Sequence, residues 1–190
     1  MRVRSDSGFT LVELMITLAV AVILVTVAIP SFRDTLARNE LITTTNAWVG
    51  AINAARAEAV KRNQSVALCG KDNAPSSGIG SNCKAAIAGE VRYLPRGGGA
   101  AETLHPALAA SIEQPLQILS STTVRFRGDG LGYLGDNVLT PYNTDVNSTP
   151  PTPLVVELCN SALTNDNVRS IALTAGSTVQ VVTSTKVDCK

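Results

Sequence analysis

Aromatic residues and histidine are scarce in this 190-residue chain. It has three Phe, three Tyr and one Trp, and its only histidine is His105. A surface that stacks nucleic-acid bases needs several aromatic side chains, and this composition offers no obvious platform of that kind. One imidazole without an identifiable nucleophile or carboxylate partner does not make a catalytic relay. We therefore assign no catalytic residue, and we expect neither enzymatic activity nor a cofactor.

Charged residues are also few, at 16% of the chain, and the formal net charge is +1. Without the first eight residues, 14 basic and 14 acidic residues remain, so the rest of the chain is formally neutral. Binding to a nucleic-acid backbone depends on Lys and Arg side chains that neutralise phosphates. The charge balance therefore argues against a nucleic-acid partner.

The four cysteines lack the C-x-x-C spacing of a zinc site, and one histidine adds little to a metal-ligand set. We expect no metal and predict disulfides formed in an oxidising compartment. Four cysteines allow three pairings, and the sequence alone does not choose among them. Pairing Cys69 with Cys83 and Cys159 with Cys189 closes the shortest loops, each worth roughly 3 kcal/mol of stability.

A long apolar run extends from Phe9 to Ile29 and contains one charge, the carboxylate of Glu13. As a helix this run would span roughly 30 Å, the thickness of a bilayer's hydrocarbon core. A carboxylate inside a membrane costs on the order of 2.5–3.5 kcal/mol, so Glu13 needs a partner or a proton. Arg2 and Arg4 precede the run, which predicts a cytoplasmic amino terminus and a domain across the membrane.

This amino-terminal segment resembles the type IV prepilin signature: a short basic leader ending in Gly8, then Phe9-Thr10-Leu11-Val12-Glu13, then an apolar run that closes at Pro30. The resemblance implies that a prepilin peptidase cuts after Gly8 and methylates the new amino terminus at Phe9. It also implies that Glu13 reaches the amino-terminal ammonium of a neighbouring subunit, which would penalise misaligned neighbours.

The resemblance divides the chain into three parts. We expect a cleaved leader over residues 1–8, a transmembrane or filament-core helix over 9–30 and a periplasmic globular domain over 31–190. Two other interpretations compete. One is an ordinary secretory signal peptide, although its apolar core is usually only 7–15 residues long. The other is a single-span anchor in which Glu13 snorkels to the membrane interface.

The helix is predicted to continue beyond Pro30, where a kink is expected because proline lacks a backbone N–H. Apolar residues then recur at intervals of seven, four, three and four, which marks one face of a helix: Leu41, Trp48, Ile52, Ala55 and Ala59. After Asn63 the pattern changes to short strand-like runs separated by turn residues, as in an antiparallel sheet. The sequence therefore predicts an α+β, pilin-like fold with a long helix packed on antiparallel sheet.

Seven strands are predicted, over residues 65–68, 90–94, 116–119, 123–127, 154–158, 169–174 and 178–183. Three long segments are predicted to be loops, over residues 70–89, 95–110 and 140–153. The segment Gly130–Gly135 matches the G-x-G-x-x-G pattern of dinucleotide-binding proteins, but no helix can follow it before Pro141. We interpret that segment as a turn.

Over nearly its full length the chain resembles the FimT/FimU/GspH group of minor pilins and pseudopilins. The resemblance rests on the prepilin helix, the strand into Cys69, the segment Val124–Gly130, Leu158-Cys159 and the segment Arg169–Leu173. It implies a minor pilin of a type IV pilus that primes or caps a filament. Its partners would be other pilins, a prepilin peptidase and an assembly platform in the bacterial inner membrane.

Three alternative functions remain open. The first is a GspH-like pseudopilin of a type II secretion system, which shares the helix and the fold. The second is a DNA-uptake minor pilin. Members of that kind carry a Gly-Arg-x-Arg motif, but here the matching positions are Gly176, Ser177, Thr178 and Val179, so both arginines are missing. The third is a periplasmic enzyme, for which no residue argues.

Overall fold

The computed structural model describes residues 9–71, 83, 87–95, 99–135, 141–145, 147–148 and 152–189. The chain divides into two compact units between Leu36 and Ala37. A single helix, α1 (Leu11–Arg62), contributes residues to both units. All nine strands found in the described ranges belong to the second unit.

The first unit consists of Phe9, Thr10 and the amino-terminal part of α1, and its described side chains are all exposed. Three threonine hydroxyl groups of this unit are satisfied within the helix. Thr17, Thr26 and Thr35 each donate to a carbonyl oxygen three or four residues earlier, over 2.8–3.0 Å. This bonding keeps the hydroxyl groups compatible with apolar surroundings.

In the second unit, the rest of α1 presents one apolar stripe to the sheets. All five residues predicted from the periodicity are at most 1% exposed: Leu41, Trp48, Ile52, Ala55 and Ala59. The polar residues Arg38, Asn39 and Lys61 lie on exposed positions of the same helix. The predicted amphipathic continuation of the helix is therefore confirmed.

The strands form two antiparallel sheets. Their bounds are β1 Ser65–Leu68, β2 Val91–Leu94, β3 Glu102–His105, β4 Leu116–Ser121, β5 Val124–Phe126, β6 Gly132–Leu134, β7 Val156–Asn160, β8 Val168–Thr174 and β9 Thr178–Ser184. The first sheet has the order β3-β2-β1-β5-β6, and the second has the order β4-β7-β8-β9. Both sheets contribute to one apolar core with the helix, and the prediction of an α+β pilin-like fold is confirmed.

Alternation along the strands explains which side chains enter this core. Val66 and Phe126 face each other across the β1–β5 pair, and both are fully buried beside the helix stripe. In the second sheet Ile171 and Leu173 of β8 enter the same core. The central strands β5 and β8 thus give alternate residues to the interior, as expected for sheets with one face on a helix.

Two strands were missed by the sequence. The segment 95–110, predicted as a loop, contains β3, and the predicted turn Gly130–Gly135 contains β6. Both are short edge strands that pair antiparallel with the strand directly before them in the chain: β3 with β2, and β6 with β5. Their own residues alternate too briefly to signal a strand, so pairing with an existing strand decides their structure.

The structure contains two disulfides, Cys69–Cys83 and Cys159–Cys189, which is the local pairing that closes the shortest loops. The second ties strand β7 to the carboxyl-terminal segment. Asn167 also holds that segment, because its amide donates to the carbonyl of Lys186 over 2.8 Å and accepts from the Lys186 N–H over 2.9 Å. The ammonium of Lys186 pairs with Glu157 of β7 at 2.8 Å.

Candidate functional site

The first turn of α1 is closed by three hydrogen bonds between Thr10 and Glu13, which run in both directions. The Glu13 carboxylate accepts from the Thr10 backbone N–H over 3.1 Å and from the Thr10 hydroxyl over 3.0 Å. The Glu13 backbone N–H in turn donates to the Thr10 hydroxyl over 3.2 Å. This arrangement is a capping box, in which threonine and glutamate satisfy backbone N–H groups that no helical carbonyl can reach.

The functional role of Thr10 was missed by the sequence interpretation, which treated Glu13 as a charge in need of a distant partner. A signal was present, because Thr-x-x-Glu immediately before an apolar run is the pattern of a capping box. The carboxylate is held against the start of the helix by bonds within its own chain, so its position does not depend on a second subunit.

The structure places the other predicted residues of this segment as follows. Phe9 directly precedes the helix and is 77% exposed. Gly8 lies outside the described residues. Glu13 is exposed, and it forms no ion pair with any residue that the structure describes. The positive partner expected for this carboxylate is therefore not supplied by the described part of the chain.

The apolar side chains that follow Glu13 cover all sides of the helix. The large residues described between Leu11 and Phe32 are about half to three-quarters exposed, and none of these is buried against the rest of the chain. The helix is long and apolar enough to cross a membrane by length and composition. Soluble monomers rarely expose a continuous apolar surface of this size. Lipid or the helices of other subunits must cover it.

Pro30 lies inside α1, and the helix continues through it to Arg62. Because proline has no N–H, the carbonyl of Thr26 lacks its usual helical donor at this point. The kink expected at Pro30 stays a prediction.

In the second unit, the turn before β9 occupies the position of the DNA-uptake motif. Gly176 and Ser177 both have positive φ, at 70° and 58°, and Ser177 is fully buried. Arg56 of α1 donates to the carbonyl of Ser177, and the Ser177 hydroxyl accepts from the N–H of Gly132 over 2.7 Å. The turn thus fastens β6 and β9 to the helix, and its second position has no exposed side chain with which to contact a ligand.

No cluster of three or more His, Cys, Asp or Glu side chains suited to a metal ion occurs in the described ranges. His105, the single imidazole, lies at the end of β3 and is exposed. The Gly130–Gly135 segment is a structural turn and strand, with Asp129 accepting from the Leu131 N–H and the Tyr133 hydroxyl over 2.9 and 3.1 Å.

Two family models match this chain. The model described as type II transport protein GspH matches residues 44–185, which is most of the chain. The model of the prokaryotic N-terminal methylation motif matches residues 3–29. The chain belongs to the GspH family. No curated protein and no solved structure matches it significantly.

Membership of the GspH family, together with the methylation motif, makes this chain a pilin or pseudopilin subunit. Subunits of this kind are structural proteins and not enzymes. The methylation motif and the exposed apolar helix fit a single-pass pilin anchored in a membrane. The methylation-motif match ends at residue 29 and the GspH match begins at residue 44, and both positions lie within α1. The first match therefore covers most of the apolar part of the helix, and the second covers most of the globular domain.

Proposed function

We propose that this protein is a minor pilin of a type IV pilus, which assembles with other pilins through its amino-terminal helix. In this proposal a prepilin peptidase removes residues 1–8 and methylates Phe9. Residues 9–30 hold the subunit in the bacterial inner membrane, and residues 31–190 form the periplasmic domain. An assembly platform in that membrane then transfers the helix into a filament, where it primes or caps growth.

One observation carries the proposal: an apolar helix begins with a carboxylate, and among the described residues the helix surface has no packing partner and the carboxylate has no cation. Transfer of the helix from lipid to a bundle of other pilin helices replaces one apolar environment by another, so packing and polar contacts decide the association. A carboxylate in that bundle must be matched, because an isolated buried charge is strongly unfavourable. The methylated ammonium of a neighbour's Phe9 supplies the matching charge in this proposal.

The capping box allows the charge of Glu13 to be tested apart from its structural role. Glutamine also serves at this position of a capping box, so Glu13→Gln removes the charge and keeps the bonds that start the helix. Thr10→Ala is the matched control, because it removes the capping partner and keeps the carboxylate. The variants are expressed in the native cells, and intact mass first establishes whether each begins with N-methylated Phe9.

We expect both variants to be cleaved and inserted normally. Recovery of partner pilins with the Glu13→Gln protein should fall at least tenfold, since breaking a buried ion pair typically costs about 3–5 kcal/mol. Thr10→Ala should lose much less, since a helix cap contributes about 1 kcal/mol. Equal partner recovery and unchanged piliation in Glu13→Gln cells would return Glu13 to the role of an interfacial anchor residue. A terminus near Ile29 would contradict the pilin assignment itself.

A second candidate function is a pseudopilin of a type II secretion system. The description of the matching family favours it, since that family is named for type II transport. The two candidate functions imply the same helix, the same fold and the same processing. A strain that lacks this protein is therefore needed to distinguish them. Loss of surface pili with normal secretion supports the minor pilin, whereas loss of protein secretion with normal pili supports the pseudopilin.

A further inference from the structure

Strand β9 forms an open edge of the second sheet. It pairs with β8 over its whole length, from Thr178 to Ser184, without a register shift. No described strand lies on its other side. Its seven residues, Thr-Val-Gln-Val-Val-Thr-Ser, include no charge and no proline, and five of them are exposed. Such an edge presents unpaired backbone N–H and C=O groups to an additional strand.

The other sheet edges in the described ranges carry the features that usually prevent pairing. Strand β3 has only four residues and ends in the polar side chains of Glu102 and His105. Strand β6 has three residues and is followed by Pro141, which bridges to Tyr133. Strand β4 is interrupted by a register shift between Ile118 and Ser120. Short length, charge and bulges protect edges, and β9 has none of these.

A cavity of about 270 Å³ opens beside β9. Its wall combines one helix and two strands: Ile42, Thr45 and Asn46 of α1, Arg169 of β8 and Val181 of β9. Ile42 and Val181 are 43% and 41% exposed, which leaves an apolar rim on each side of the groove. A strand added to β9 would direct alternate side chains toward this groove.

Arg169 is the only charged residue in the cavity wall, and its charge is not matched. Its guanidinium donates to the Thr183 hydroxyl, but it forms no ion pair within the described residues. The Nε atom of Arg169 is buried without a hydrogen-bond partner. Arg169 is half-buried, and a guanidinium with one unpartnered N–H group and no ion pair favours a carboxylate as its partner.

We propose that β9 accepts an extended segment of a neighbouring pilin as a further strand, and that an Asp or Glu of this segment enters the cavity and pairs with Arg169. The backbone edge supplies affinity, and the single cation selects an acidic side chain at one position. Recognition of this type combines main-chain hydrogen bonds with a pocket for one side chain. The inference rests on the proposed assembly function and names the kind of segment that the partner contributes.

The unmatched charge distinguishes this partner from a second copy of the chain. The β9 strands of two copies of this chain have no charged residues that would repel each other if they paired antiparallel. However, β9 contains no Asp or Glu, so a second β9 would leave Arg169 without a carboxylate. Charge complementarity therefore favours a different subunit that carries an acidic residue in an extended segment.

The first test is photochemical cross-linking of the full-length protein in the cells that produce it. The photoreactive residue p-benzoylphenylalanine replaces Val181 in one strain and Val60 in the control strain. Val60 is 51% exposed and belongs to α1, and it is not part of the cavity wall beside β9. We expect adducts at position 181 to exceed those at position 60 by at least tenfold. The cross-linked peptide should come from another prepilin-type protein and contain Asp or Glu within two residues of the adduct.

Any other result overturns the proposal, including equal adducts at both positions, a peptide without an acidic residue, or a peptide from a second copy. The charge is tested in the same strain. Arg169→Gln should reduce the adduct at position 181 at least fivefold, and Arg169→Lys should restore most of it. Equal adducts in both variants would show that Arg169 only supports the fold.

The edge is tested by co-purification of the cross-linked pilin. Val181→Lys should lower its recovery at least tenfold, whereas Val60→Lys should not, and thermal unfolding should show both variants folded. Glu13→Gln separates the two proposals. If Glu13→Gln lowers recovery and the edge variants do not, the strand inference fails and the proposed function stands. If Glu13→Gln also has no effect, the proposed function fails.

Discussion

The two halves of α1 differ in whether their apolar side chains are exposed or buried. From Leu11 to Leu36 apolar residues occur on all sides, and every described side chain is exposed. From Ala37 to Arg62 most of them form one stripe, which is buried in the domain, and only Ile42 and Val60 are large apolar residues that stay exposed. A helix that is apolar all round is stable only within a membrane or other protein, whereas a one-sided stripe packs on its own domain. Apolar surface must be shielded from water in both halves of this helix. In the first half the shield must come from outside the chain, and in the second half the domain provides it.

This difference predicts where stability resides. Residues of the second half contribute to a core that the chain completes by itself. Residues of the first half contribute only after lipid or another subunit covers them. Substitutions of the same chemical type should therefore change domain stability in one half and membrane or subunit association in the other.

The largest expected effect compares two leucines of α1. Leu41 is 1% exposed and Leu18 is 58% exposed. Leu41→Ala should lower the free energy of unfolding of the domain by about 2–5 kcal/mol, because it removes buried contacts and leaves a cavity. Leu18→Ala should leave that free energy within about 0.5 kcal/mol. Denaturant unfolding in detergent, followed by fluorescence of the buried Trp48, measures both. Similar losses in the two variants would contradict the division of the helix.

The disulfides test whether the domain is complete without outside partners. Replacing Cys159 and Cys189 by Ser should destabilise the domain by about 3–4 kcal/mol on the loop-entropy model, since the bond spans 30 residues. Replacing Cys69 and Cys83, which are 14 residues apart, should cost about 0.6 kcal/mol less. The same unfolding assay applies, and membrane insertion should be unchanged in both variants. Larger loss for the shorter loop would show that local packing outweighs loop length.

The sequence predicted those parts of the fold that rest on repeated local signals. The buried stripe of α1 follows from the spacing of Leu41, Trp48 and Ile52, and the prepilin signature follows from residues contiguous in sequence. Strands β3 and β6 were missed because pairing with the preceding strand determines them, and their own residues carry too short a pattern. Four residues such as Glu102–His105 carry no sustained alternation, yet β2 offers them a complete edge.

The candidate site was predicted only in part, for a different reason. Glu13 stands out because it is a charge in an apolar run, but its bonds to Thr10 were overlooked although the pattern was readable. The groove beside β9 could not be predicted, because its wall joins α1 to β8 and β9. Residues more than a hundred positions apart meet there only through the tertiary fold.

The smallest expected effect is on the acid-induced loss of domain stability. It is tested by comparing one carboxylate of the domain, Glu90, with the carboxylate of the apolar helix, Glu13. Glu90 is 9% exposed and accepts hydrogen bonds from Thr103 and from Arg92, the latter over 2.9 Å. Burial acts to raise the pKa of Glu90, but these hydrogen bonds and the charge of Arg92 together lower the pKa below its ordinary value of 4.5. The folded domain therefore binds this proton less readily than the unfolded chain.

The sign of the pH dependence follows from that difference. A carboxyl whose pKa is lower in the folded state stabilises the fold above its unfolded pKa, and this contribution is lost as pH falls through the folded pKa. Glu90→Gln should therefore flatten the loss of domain stability below about pH 4.5, by under about 1 kcal/mol for one partly solvated group. Glu13→Gln should leave the same acid-unfolding curve unchanged, because the carboxylate of Glu13 makes no contact with the core. A matching change in the Glu13 variant would show that the first half of the helix contributes to domain stability after all.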